Sequence, residues 1–284
     1  MIQPGARFDY VTVGHVTRDA LEDEAGGVQF RAGGSAFYSA LQAARLGLRT
    51  LILTQGVPDE IEGLLEPYLD ELDLHVIAAE RTTTLSTRGM GAARAQRVLA
   101  WAGPISGPIE LDTAILHLAP VARETPVRWD GRAAFVGVTP QGLIRQWEPG
   151  EPSGEISHVP LDPALLPTSF GAAVISEQER KSCQALFSAA DRCDAPVAVT
   201  AGSGPTTVRL PASVDESISQ IAPPQPAVVR DDLGAGDVFA ATFFVALAEG
   251  HTPLQAAALG NSAAAIRVSG TGPEAIGRRA AIIP

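Results

Sequence analysis

Lysine is almost absent from this chain. Of 21 basic residues among 284, Lys181 is the only lysine, and Arg180 precedes it. No G-K-[ST] triplet therefore occurs, which excludes a Walker A loop, and the V-A-I-K lysine of protein kinases is missing too. Any phosphate here must be held by backbone N–H groups, by arginine or by a metal. Cysteine is scarce: Cys183 and Cys193 form no C-x-x-C and no zinc spacing, and they read as incidental thiols of a cytoplasmic protein. Positive charge is in deficit, with a formal net charge of −11, against the basic footprint that nucleic-acid binding needs. No apolar run approaches the roughly 18–20 residues of a membrane span. The opening "MIQPGARFDYVTVGHV" lacks a basic n-region and an apolar h-region, so no signal peptide is expected. The histidines at 75, 117, 158 and 251 show no metal spacing, and no G-x-S-x-G elbow supports a hydrolase triad. His15 follows a strand-ending glycine and lies near the expected pocket.

What the chain does have is alternation. "FDYVTVG" (8–14), "TLILT" (50–54) and "LHVIAA" (74–79) read as short buried strands. "GGSAFYSALQAARLG" (33–47) and "PDEIEGLLEPYLDEL" (58–72) read as helices between them, the first closed by Gly47. Such βαβ alternation implies an α/β fold with a mainly parallel sheet. "AILHLAP", "AAFVGVTP", "AAVIS" and "PVAVT" add four buried strands, each ending in a turn where doubly wound sheets keep ligands. Residues 81–108 break the pattern with short β-prone runs. "QWEPGEPSGEISHVPLDP" reads as a surface loop, and the C-terminal part as two helices, 235–249 and 253–268.

The densest chemical signal is "RDDLGAGDVFAATFF" (230–244). Glycines before a helix let several N–H groups point outward together, and with the helix dipole they make an anion site. A carboxylate there could merely cap the helix. Asp237, however, opens an apolar helix at the presumed ligand edge. A carboxylate beside an anion cradle suits phosphoryl transfer: it takes the proton from an attacking hydroxyl while the amides stabilise the transferring oxygens.

"DDLGAGDVFAA" resembles the C-terminal signature of the ribokinase/PfkB-type carbohydrate kinases, D-T-x-G-A-G-D, and other landmarks follow in register. "VTVGHVTRD" is similar to their first strand, with Asp19 five residues after Gly14 at the substrate-hydroxyl position. "GGSAFYSALQAARLG" resembles the N-terminal signature, "SEQE" (176–179) the N-x-x-E motif, "VTAGSGP" the T-x-G-x-x-G nucleotide loop, and "AAALGNSAAAIRVSGTG" the helix beside adenine. The resemblance covers nearly the whole chain. It implies a single ribokinase-like domain over 1–284, three-layer α/β/α, with a β-sheet lid from residues 20–32 and 81–108. With 13 residues between Asp19 and Gly33, the first lid strand pair should be short.

The implied activity is ATP-dependent phosphorylation of a hydroxyl on a small sugar, nucleoside or polyol. Asp237 would be the base, and the amides of Gly234, Ala235 and Gly236 the anion hole. Thr17, Asp19, Gly33, Gly34 and Tyr38 would face the acceptor. Thr200, Gly202, Ser203, Gly204 and Asn261 would face the nucleotide. Glu179 would act through water on Mg²⁺, and Asp231 would lie near a monovalent cation such as K⁺. The lid of this family often pairs two subunits, which implies a homodimer; neither membrane nor nucleic acid is an expected partner.

Departures from the pattern narrow the expectation. Tyr38 stands where the family usually has Asn, Ser176 replaces Asn, Asp232 replaces Thr, and Gly204 comes one residue early. They put ribose in doubt and motivate an alternative, a ribokinase-fold ligand binder or regulator with little or no turnover. The retained Asp237 argues for the enzyme. A nicotinamide-dependent dehydrogenase shares the alternation, but "GHVTRD" replaces the G-x-G-x-x-G it would need. Gln141, Arg145, Arg88 and Arg97 are further candidates for ligand contact.

Overall fold

The computed structural model describes residues 7–22, 27–106, 109–148, 154–213, 218–226 and 228–283. In chain order the strands are β1 (Phe8–Val13), β2 (Thr17–Glu22), β3 (Val28–Gly33), β4 (Thr50–Gly56), β5 (Asp73–Ala78), β6 (Thr84–Arg88), β7 (Ala95–Ala100), β8 (Glu110–Leu118) and β9 (Asp130–Val138). Then come β10 (Arg145–Gln146), β11 (Gly154–Glu155), β12 (Ser157–His158), β13 (Ala172–Ser176), β14 (Val197–Ala201), β15 (Gly204–Arg209) and β16 (Ile218–Ile221). The helices are α1 (Ser35–Arg45), α2 (Pro58–Leu65), α3 (Gln184–Cys193), α4 (Ala235–Ala248), α5 (Pro253–Val268) and the short α6 (Arg279–Ile282).

Among the described residues, nine strands form one sheet in the order β16-β15-β14-β13-β9-β8-β1-β4-β5. Every pairing from β14 to β5 is parallel. Strands β1, β4 and β13 are buried along nearly their whole length, as strands covered on both faces must be. One face packs against α1, α2, α4 and α5. The other packs against α3 and the irregular stretches around Ile105, Ile144 and Phe170. Helix α4 is buried almost all round, so it carries no polar face. The fold is ribokinase-like, as the motifs implied.

The second sheet is the lid, five strands in the order β11-β7-β6-β2-β3. Its first strand starts at Thr17, earlier than expected, which puts Asp19 on the lid itself. The β2–β3 pair is indeed short, six residues each. Two further differences stand out. The stretch read as a surface loop supplies β11, which pairs antiparallel with β7. The end of the main sheet is extended by the antiparallel β15 and β16, which carry no apolar run long enough to be noticed. No helix among the described residues is long and apolar enough to cross a membrane.

Parallel pairing has one consequence for function. The C-terminal ends of β1, β8, β9, β13 and β14 lie along one edge, the edge where open α/β sheets bind ligands. The lid springs from that same edge, because β2 follows β1 after the short turn 14–16.

Candidate active site

On the lid side, Asp19 is held by its neighbours. The Thr17 hydroxyl donates to Oδ1 at 2.6 Å. Thr17 pairs across the β2–β3 ladder with Gly33, where a Cβ would fall 2.1 Å from Asp19 Oδ2. Glycine at 33 therefore makes room for the carboxylate. Asp19 is buried, at 2% exposure. Burial raises its pKa to about 6, while the Thr17 hydroxyl and then Arg31, Arg145 and Arg94 pull it back. Gly34 next caps α1 at φ 94°, so residues 33 and 34 serve backbone shape rather than side-chain contact.

Facing this, Gly234 caps α4 in the left-handed region, φ 80°. A Cβ there would lie 2.3 Å from the Tyr38 ring. The ring thus packs directly under the glycine turn, which only glycine can form in this place. The amides of Gly234 and Gly236 have no protein partner among the described residues, and the space beside Gly236 is open. Ala235 departs from the expected anion hole: its N–H turns back to the Asp232 carbonyl at 3.3 Å. A helix N-terminus leaves such amides unsatisfied and carries positive potential.

Asp237 lies in the first turn of α4, partly accessible to solvent. Burial raises its pKa to about 6; a Ser35 hydrogen bond, Arg145 and Arg94 lower it, and nearby Glu179 raises it further. Ser39 Oγ donates to the Asp237 backbone carbonyl at 3.3 Å, so α1 and α4 start side by side. Glu179 is buried at the end of β13, where Oε2 accepts from Ser176 N at 2.7 Å and Oε1 from Gln141 Nε2 at 2.9 Å. Gln141 thus contacts the metal-motif glutamate.

Two cleft residues were missed or undervalued in the sequence. Glu124 is buried and accepts from the amides of His15, Val121 and Ala122 at 2.8, 2.7 and 2.6 Å. It pins the end of β1 to the end of β8, and nothing in its local sequence marks it. Arg145 is buried too, donating to the Val121 carbonyl at 2.9 Å and to Gln96 Oε1 on lid strand β7 at 2.8 Å. His15 Nδ1 pairs with Thr83 Oγ1 at 2.8 Å.

Asp231 and Asp232 are already neutralised. Asp231 Oδ2 sits 3.0 Å from both Arg31 of β3 and Arg267 of α5. Asp232 accepts from Gly91 N at 2.8 Å and from Arg94, both at the lid tip between β6 and β7. The monovalent cation expected at Asp231 therefore does not fit: guanidinium groups take its place.

The nucleotide-side residues divide. Residues 202 and 203 form the tight turn joining β14 to antiparallel β15, with Gly202 at φ 61° and Gly204 opposite Ala201. Thr200 accepts Glu177 N on its carbonyl at 2.8 Å, which brings this turn beside the Glu179 segment. Asn261 is turned inward instead, accepting from Thr206 Oγ1 at 2.8 Å and donating to the Ile221 carbonyl at 3.3 Å. Among the described residues no group of three metal-ligating side chains occurs. A separate groove of about 650 Å³, lined by Trp129, Phe135 and Phe170, lies at the start of β9, the edge opposite this site.

Residues 164–277 match the pfkB family of carbohydrate kinases. By sequence, no curated protein matches the chain. By structure, a pyrophosphate-dependent kinase of the ribokinase family in a sulfate complex has TM-score 0.73 at 16% identity, over 96% of this chain and 98% of that one. Arabidopsis thaliana ribokinase with ribose and ATP has 0.71 at 18%, over 98% of both chains. The Methanocaldococcus jannaschii nucleoside kinase has 0.67 at 16%, again over 98% of both.

The Asp232 contacts join the glycine turn to the lid tip, and a charge-assisted pair of this exposure is worth about 1–2 kcal/mol. Asp232→Thr should therefore raise amide exchange across residues 89–95 by a factor of roughly 5–30, with α4 unchanged. Equal exchange in both proteins would dispose of the contact.

Proposed function

We propose that this chain, whose residues 164–277 match the pfkB family of carbohydrate kinases, is a divergent member of that family and a kinase transferring the γ-phosphoryl group of ATP to a hydroxyl of a small sugar, nucleoside or polyol. The observation that carries the proposal is Asp237, its proton affinity raised to about 6, beside the free amides of Gly234 and Gly236. A base works best with a pKa near the working pH, and amides fixed at a helix start stabilise charge without reorganising.

In this reading Asp19 accepts hydrogen bonds from acceptor hydroxyls, and Thr17 keeps its carboxylate aimed. Asp237 takes the proton from the attacking hydroxyl. The amides of Gly234 and Gly236, with the dipole of α4, receive the phosphate oxygens, and Arg145 and Arg94 add positive field. The lid excludes water, which strengthens each of these interactions. Magnesium usually keeps several waters and needs one or two carboxylates plus substrate phosphates. Glu179 fits that demand, since each of its oxygens has a lone pair left after its one protein bond. When bound, the ion neutralises phosphate charge.

One observation favours a second donor. Asn261, the expected adenine neighbour, spends its side chain on Thr206 and Ile221. Inorganic pyrophosphate needs the amide cradle and no base contact, and a ribokinase-family relative of similar fold is pyrophosphate-dependent. A panel of sugars, nucleosides and inositols, assayed with ATP and with pyrophosphate in parallel, separates the two by ADP or orthophosphate release. No release above background with either donor would favour the ligand-binding alternative.

Asp237→Asn should still bind donor and lose turnover by about 10²–10⁴-fold; near-wild-type transfer would remove it as the base. Both Asp19 and Asp237 must be ionised, and both have pKa values raised to about 6. The kcat/KM profile should therefore fall below pH 6, approaching a two-proton slope, and Asp19→Asn should reduce that slope to one proton. A profile flat to pH 5 would contradict the assignment.

A further inference from the structure

The oxygens around Asp231 form a cation site, and the protein fills it itself. Arg267, in the last turn of α5, has 0% exposure. Its Nη2 donates to Asp231 Oδ2 at 3.0 Å and to the Leu233 carbonyl at 2.7 Å. Its Nη1 donates to the Asp231 carbonyl at 3.2 Å and, at a long 3.5 Å, to the Gly270 carbonyl. Three carbonyls and a carboxylate are the oxygen donors a hard cation would choose. They come from two turns, 231–233 just before the Gly234 amide and 270–272 just after α5.

We infer that Arg267 is a resident cation: a positioning residue that holds the glycine turn in shape and removes any requirement for a monovalent ion. Several observations agree. A guanidinium cannot lose its proton in a protein, so the charge is permanent. Burial alone would raise the Asp231 pKa, but the amides of Leu233 and Gly272 and then Arg267 hold it at about 2, so the counter-anion is permanent as well. A second cation on the same oxygens would meet a positive charge already within hydrogen-bond distance of each. Tyr38 completes the arrangement. Its ring lies 5.5 Å from the Arg267 guanidinium, within cation–π range, and against Gly234. The tyrosine that replaces the family's asparagine is thereby part of the support for the turn, and its buried hydroxyl has no hydrogen-bond partner among the described residues.

The inference concerns the shape of the turn and rests on the kinase reading only where turnover is measured. Thermal midpoints need no substrate, so a chain without detectable turnover still answers the question. In equal concentrations of potassium, sodium and choline chloride, wild type should show one midpoint and, with a working acceptor, one turnover rate. Potassium-specific stabilisation or activation would overturn the inference. Arg267→Ala should lower the midpoint and cut turnover roughly 100-fold through misplacement of the turn. Methylguanidinium should restore part of both losses. An Ala variant equal to wild type, or one that methylguanidinium leaves unchanged, would overturn it. Should the Ala variant not fold, Arg267→Lys and Arg267→Met separate charge from volume. Lys should keep a midpoint nearer wild type than Met, and equal midpoints for the two would refute a cationic role.

Discussion

Everything at the ligand edge depends on neutralising two adjacent carboxylates at the start of one buried helix. Asp231 and Asp232 precede the glycine turn of α4, where unpaired negative charge would repel a phosphate. The chain answers with three guanidiniums from different places: Arg267 from behind, Arg31 from β3 and Arg94 from the lid tip. With these pairs made, Asp237 is the one of the three carboxylates that has no ion pair among the described residues. Its pKa rises while that of Asp231 falls to about 2. Two carboxylates six residues apart thus acquire opposite chemistry from their surroundings alone.

The same pairs make the lid and the anion turn one mechanical unit. Both lid arginines are bonded to Asp231 and Asp232, so a lid that lifts must release those two counter-charges and leave Arg267 in place. Arg145 adds a third link through Gln96. Lid position and the electrostatics of the glycine turn are therefore coupled by direct contacts, and an anion bound at that turn would compete with Asp232 for Arg94.

Much of this was legible in the sequence because backbone geometry leaves a residue-type signature. A left-handed cap beside a tyrosine ring demands Gly234, and a carboxylate packed on a strand partner demands Gly33; both glycines stand out in the text. The parallel strands announced themselves as apolar runs. What could not be read were pairings across long sequence separation. Glu124 reaches back 109 positions to His15 and Asp232 reaches 138 to Arg94. Arg267 looks like an ordinary last-turn cation until Asp231 is folded against it. The inward turn of Asn261 and the Ala235 amide depend on details of hydrogen bonding that spacing does not determine. Strand β11 hid in a Pro- and Gly-rich stretch because it holds only two residues.

The lid's composition also bears on how the chain reaches its native state. Its strands come from residues 17–33, 84–100 and 154–155, with core strands between them. Non-local pairings of this kind form slowly, because large loops must close before any contact rewards them. On a ribosome, β2 and β3 emerge early with nothing to pair against but each other, and the sheet cannot be completed until residue 155 has left the exit tunnel. The central sheet can form its β1–β4 contact long before that. The lid can therefore be completed only after β1, β4, β5, β8 and β9 have been made, while β13–β16 and the helices α4 and α5 of the core follow it.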